Sequence, residues 1–248
     1  MMEKKIHVAV LFSGGKDSTL ALYDSLQKGM EVRYLVSMFS KNPESYMFHY
    51  PNMSMAIMQS LSMGLRLVTK KTAGEKEKEL EDLKNVLESI KAEVDGIVVG
   101  AIASKYQKER VQRICRSLGL KMIAPLWGKR PETIWKRLID AGFEVMITSV
   151  SADGLGKEWL GKVIDKKSLA KLKMAAKKHR LHLAGEGGEF ETLVLNGPIF
   201  KRRLEVTDSE IQWNGESGRF IIKDAKLKGG ASFVAEPIQS DAASSVAG

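Results

Sequence analysis

The chain has 248 residues, 44% hydrophobic and 28% charged, and its 39 Lys and Arg against 30 Asp and Glu give a formal charge of +9. That size suits one large or two modest globular domains with a sizeable core, and no apolar run approaches the roughly 20 residues that span a bilayer. The single cysteine, Cys115, excludes an internal disulfide, a cysteine-rich zinc site and a dithiol redox pair.

The charged opening from Met1 to Ile6 has no signal-peptide pattern, so a cytoplasmic location is expected. His7 to Phe12 reads as a short buried strand that runs straight into glycines. A helix from Asp17 to Gln27 stops at Gly29, and Val32 to Phe39 is a second strand. Pro51 suits the start of a helix over Asn52 to Ser62. Leu65 to Val68 is a third strand, and Glu75 to Ile90 an amphipathic helix with Glu-to-Lys pairs. Gly96 to Val99, Lys105 to Leu118 and Met122 to Ala124 read as strand, helix and strand. This alternation predicts an α/β fold with an open five-stranded parallel sheet over residues 1–124 and a ligand at the carboxyl ends of its strands.

The pattern changes at Pro125-Leu126-Trp127. A helix over Pro131 to Ala141, a strand over Phe143 to Val150 and a Lys-rich helix over Asp165 to His179 follow. Two β-like runs, Lys201 to Trp213 and Arg219 to Leu227, flank Asn214-Gly215, a hairpin signal. A smaller α/β domain is therefore expected over residues 125–230, then a flexible tail over 231–248, rich in small residues.

The chemistry centres on Ser13-Gly14-Gly15-Lys16-Asp17-Ser18, between the first strand and the first helix. Glycines let the backbone approach a phosphate, and the helix start offers N–H groups and a positive dipole end. Ser13 and Ser18 add hydroxyl donors and Lys16 a mobile positive charge, while Asp17 suits an indirect Mg²⁺ contact or a turn role. Asp17 stands where a Walker A loop needs Ser or Thr, and no G-x-G-x-x-G is present.

The hexapeptide resembles the phosphate loop of the N-type ATP pyrophosphatases, which share an adenine nucleotide alpha hydrolase-like fold. The resemblance implies that ATP is cut between its α and β phosphates. It also implies that adenine lies near Ser37-Met38-Phe39 and Gly100-Ala101-Ile102. Gly185-Glu186-Gly187-Gly188-Glu189-Phe190-Glu191-Thr192-Leu193 places glycine-flanked carboxylates at a strand start; a solvated surface turn is the alternative. That segment resembles the E-G-G-E signature of the diphthine–ammonia ligase family, in its short archaeal-type form. So do Gly100 to Gln107 with Arg110-Val111 and Cys115, Pro125-Leu126-Trp127, and Gly154-Leu155 with Leu160-Gly161-Lys162.

The resemblance implies ATP- and Mg²⁺-dependent amidation of diphthine on elongation factor 2. It proceeds through an acyl-adenylate and releases AMP and pyrophosphate. Lys16, Asp17, Glu186 and Glu189 would be the catalytic groups. Ser104, Tyr106, Gln107, Arg110, Gly187, Gly188, Glu191 and Thr192 would meet the acceptor. Glu186 and Glu189, with Tyr106, Trp127 or Phe190, could hold the trimethylammonium group; alternatively, the carboxylates bind ammonium and take its proton. Ammonium and elongation factor 2 are the implied partners; nucleic acid is not required and a homodimer is compatible. A tRNA-modifying adenylating enzyme and a non-catalytic nucleotide-binding regulator stay open as alternatives.

Of the other residues, His49 follows the second strand and can close over the nucleotide. His179 and His182 lack further ligands for zinc. Met53, Met55, Met58 and Met63 read as helix packing, Cys115 as a packed thiol, and Arg113 with Arg110 as phosphate or acceptor contacts or a solvated face.

Overall fold

The computed structural model describes residues 5–40, 53–72 and 76–229. His49, Pro51, Asn52, Glu75 and the tail from Ala231 lie outside the described residues. The first half contains β1 (His7–Leu11), α1 (Lys16–Gln27), β2 (Glu31–Ser40), α2 (Met53–Met63), β3 (Arg66–Thr72), α3 (Lys76–Ile90), β4 (Gly96–Val98), α4 (Lys105–Ser117) and β5 (Lys121–Ile123). Its five strands pair in parallel in the order β3-β2-β1-β4-β5. The chain winds outward from β1 to β3, then returns to β4, so strand order reverses beside β1. A crevice for a ligand opens at such a point, outside the carboxyl ends of the strands.

Alternation along the strands divides the core. Val8, Val10 and Phe12 pack with Leu20 and Leu22 of α1 on one face, whereas Ala9 joins Val36, Leu83, Leu87 and Cys115 on the face covered by α3 and α4. Gly29, at φ +76°, follows the last turn of α1, as a helix-ending glycine should.

The second half adds α5 (Pro131–Asp140), β6 (Glu144–Val150), α6 (Lys166–His179), β7 (Phe190–Asn196), β8 (Leu204–Trp213) and β9 (Gly218–Leu227). These four strands form an antiparallel sheet in the order β7-β6-β9-β8. Trp135, Leu138, Val145, Ile147, Phe190 and Val194 lie in the same buried cluster as Val8, Leu20 and Leu22. α2 packs between the sheets: Ala56 and Met63 belong to that cluster, while Met55 and Met58 pack with Leu193, Leu195 and Leu204. Asp24 of α1, nearly buried, pairs through both oxygens with the guanidinium of Arg137 on α5. α6 starts with a capping box between Asp165 and Ser168.

Candidate active site

Residues 13–18 join β1 to α1 and are gripped from two sides. Gly14 sits at φ +78°, and a Cβ there would stand 2.3 Å from Gln59 Oε1. Its carbonyl accepts from Gln59 Nε2 (2.9 Å) and from the backbone N–H of Val194 (3.0 Å). Lys16 N–H donates to Thr192 Oγ1 at 3.1 Å. Helix α1 has no side-chain cap, and its first internal bond runs from Thr19 N–H to Gly15 O at 3.1 Å. The N–H groups of Asp17 and Ser18 therefore lie at the positive end of the helix dipole, outside its hydrogen-bond ladder. Ser18 Oγ accepts from Ser13 N–H at 3.2 Å and lies 3.1 Å from Ser13 Oγ. A Cβ at Gly100, just past β4, would come within 2.7 Å of Ser18 N. Only glycine leaves this helix start open.

Lys16 is already engaged by groups of this chain. It is buried, and its ammonium donates to Asp17 Oδ2 (2.8 Å) and to Ala184 O, 5.5 and 5.9 Å from the ring centroids of Phe190 and Trp135. Trp135 in turn donates its indole N–H to Leu183 O at 2.7 Å. Residues 13–18 are thereby tied to the segment that leads into the E-G-G-E turn. The Asp17 side chain is 24% exposed, yet its Oδ1 is shut off from solvent and has no hydrogen-bond partner among the described residues. Burial pushes the Asp17 carboxyl above its ordinary value of 3.8; Lys16 opposes the rise, and the nearby Glu186 adds to it.

The two glutamates of the signature differ in environment. Glu189 accepts from His182 N–H (2.6 Å) and Gly187 N–H (2.8 Å), one bond to each oxygen, and braces its own loop. Glu186 reaches across to the segment after β4, where its Oε2 accepts from Ala103 N–H at 3.2 Å. Gly187 and Gly188 are exposed, and Gly188 O accepts from Ser151 Oγ at 2.6 Å. Glu191 is half-buried on β7 opposite Ser149. Thr192, expected at the acceptor, accepts from Lys16 N–H and so ties β7 to residues 13–18.

Ser37 lies at the carboxyl end of β2 and donates to Phe12 O at 2.5 Å, while the side chains of Met38 and Phe39 are buried in opposite cores. A base at these positions can meet backbone only. Ala101 is half-buried and Ile102 buried. Ser104 stands just before α4 and Gln107 within it; Tyr106, in the first turn of α4, has the Arg110 guanidinium 3.8 Å from its ring centre. Arg110 and Arg113 line a shallow groove with Leu80, Glu81 and Lys84 between α3 and α4. The aromatics proposed for a trimethylammonium group already face cations of this chain: Lys16 at Phe190, Lys108 at Trp127 (3.9 Å) and Arg110 at Tyr106. Gly154, Leu155 and Gly161 serve packing, with Leu155 buried and Gly161 against Phe220. Gln59, Trp135 and His182 carry no sequence signal of their own. His182 Nδ1 accepts from Glu186 N–H at 3.3 Å, and only its nearness to the E-G-G-E turn could have drawn attention to it.

Family models match both halves of the chain. The diphthamide synthase N-terminal domain covers residues 6–122 and the diphthamide synthase C-terminal domain residues 130–227. The diphthine–ammonia ligase of Homo sapiens is 34% identical over 230 residues, covering 83% of this chain and 85% of that protein. The chain belongs to the diphthine–ammonia ligase family. The Bos taurus ligase is 32% identical over 227 residues, with the same coverage. The Schizosaccharomyces pombe ligase is 32% identical over 219 residues, but the match spans 36% of its length. Members of this family thus include proteins near this length and much longer ones. The family's activity is carbon–nitrogen ligation in diphthamide biosynthesis.

Proposed function

We propose that this chain is itself a diphthine–ammonia ligase, acting in the cytoplasm on elongation factor 2 that carries diphthine, with ammonium as nitrogen donor. The observation that carries this reading is the convergence of motifs some 170 residues apart. Lys16 of the phosphate loop bonds Ala184, while Glu186 bonds Ala103 in the segment after β4. Phosphates would lie on the first N–H groups of α1 and the Ser13 hydroxyl. Adenine would lie against backbone at the ends of β2 and β4. The acceptor would enter over residues 125–230 and the start of α4.

In the first step an oxygen of the diphthine carboxylate bonds to the α phosphorus and pyrophosphate leaves. Glu186 takes one proton from ammonium; the ammonia so formed attacks the acyl carbon, AMP leaves, and the second proton on nitrogen passes to the departing AMP phosphate or to water. Adenylation is needed because a bare carboxylate is a poor electrophile at neutral pH, whereas AMP, which departs as a stable phosphate anion, is a good leaving group. Glu189 holds the turn that presents Glu186, and Lys16 offsets the charge of Asp17 while anchoring Ala184. A magnesium ion fits this site in a limited way. Asp17 Oδ1 is an unpartnered buried oxygen, but no group of three or more His, Cys, Asp and Glu is gathered among the described residues. Phosphate oxygens would be its main ligands, and it would offset their charge. No helix among the described residues is long and apolar enough to cross a membrane.

The adenylate step is tested with acceptor whose diphthine carboxylate carries heavy oxygen. Label in the AMP supports the reading, and unlabelled AMP from turning-over enzyme rejects it.

A further inference from the structure

Gln59 lies on α2, which ends the segment between β2 and β3, and its side chain is wholly buried. Its Nε2 donates to two carbonyls from distant parts of the chain, Gly14 O at 2.9 Å and Val194 O at 2.7 Å. Two carbonyl neighbours identify that end as the amide nitrogen, since an oxygen there would face two acceptors. Its Oε1 has no partner among the described residues. Leaving a buried acceptor unsatisfied costs about 1–3 kcal/mol, a cost that the two bonds from Nε2 must offset. The donor end must supply something packing does not.

The peptide geometry shows what that is. Gly14 O is filled by two donors, Gln59 Nε2 and Val194 N–H, on the buried side of the loop. No cis peptide is present among the described residues, so the C=O and N–H of the Gly14–Gly15 unit point in opposite directions. Fixing Gly14 O inward fixes Gly15 N–H outward, on the exposed side. There it makes a long contact, 3.4 Å, to Ser13 Oγ. Gly14 accepts this orientation at φ +78°, and any side chain would strike Gln59.

We infer that Gln59 is a positioning residue for the phosphate loop, turning the Gly14–Gly15 peptide so that Gly15 N–H faces the polyphosphate of the nucleotide. The inference rests on the reading of residues 13–18 as that loop. Gln59 touches no substrate; it acts through Gly14. It also links the loop to β7, so the same amide registers both halves of the site.

The test is calorimetric binding of Mg-ATP and of pyrophosphate to the full chain and to Gln59→Met, a side chain of similar length without donors. Loss of one neutral hydrogen bond that orients the anion donor is expected to weaken both dissociation constants about 3- to 10-fold. The KM for ammonium is expected to stay within about twofold, a split that general loosening would not produce. Equal binding by the variant and wild type would overturn the inference alone. Failure of the wild type to bind either ligand would overturn the phosphate-loop reading with it. A readout free of any folding defect is the Gly15 amide resonance of the wild-type protein. It is expected to move downfield on adding pyrophosphate, and an unmoved Gly15 signal under saturation overturns the proposal.

Discussion

Glu186 and Glu189 stand three residues apart, and their hydrogen bonds divide their roles. Glu186→Gln keeps an acceptor for Ala103 N–H but removes the proposed proton acceptor and the charge. The KM for ammonium should rise or kcat fall by about 10²-fold, with little change in melting temperature. Glu189→Gln weakens a charge-assisted brace on two backbone N–H groups, so stability should drop by about 1–2 kcal/mol. Steady-state kinetics and thermal melts of the two variants check this, and identical behaviour would contradict it. Cys115 is buried in the α3–α4 face, and desolvation pushes its thiol from 9.0 up to about 11. The folded state therefore holds this proton more tightly than the unfolded chain. The stability it contributes is complete below 9.0 and is lost as pH climbs toward about 11. Cys115→Ala should lose less stability than wild type across that window, while keeping ligase activity. In native protein at neutral pH the thiol should react with aromatic disulfides only as fast as the fold opens.

Most elements could be read from hydrophobic period and glycine punctuation. α1 ends as Gly29 predicts, and the β8–β9 hairpin turns at Asn214, whose side-chain oxygen accepts from Glu216 N–H (3.0 Å) and Ser217 N–H (2.8 Å). β3 shows where period fails. The apolar run suggests an end at Val68, yet the strand continues to Thr72 because Thr69 to Thr72 pair with Ser37 to Ser40. On an edge strand Lys70 and Lys71 can lean into water, so sequence polarity hides the pairing. The glycine turn over residues 13–18 was legible because its glycines act locally. Its supports were not: Gln59, Thr192 and Val194 act on it from up to 180 residues away, through a sheet whose strand order no local pattern encodes. Gly100 belongs to this scale too, because the end of β4 meets the start of α1. Gly100→Ala pushes a methyl against Ser18 N–H, and Mg-ATP should bind at least about tenfold more weakly. Unchanged affinity would place the polyphosphate elsewhere.

The two sheets share one buried cluster, with Val8 and Leu20 on one side and Trp135 and Ile147 on the other. Asp24 and Arg137 add an ion pair between the halves. The change of pattern near residue 125 therefore marks a change of architecture within a continuous core. Unfolding should be a single transition by calorimetry and by denaturant. Arg137→Ala should cost about 2 kcal/mol, less than for a fully buried pair, because the Arg137 side chain is 39% exposed. Two resolved transitions would contradict the shared core. The shared core holds residues 13–18 and the E-G-G-E turn together, and the proposed ligation requires both. The most direct test follows AMP and pyrophosphate release from Mg-ATP in the presence of ammonium, with and without elongation factor 2 bearing diphthine. The account predicts AMP release that needs both the factor and ammonium, matched by amide formed on the factor. AMP release stimulated by tRNA instead, or bound ATP that no acceptor converts to AMP, would contradict it.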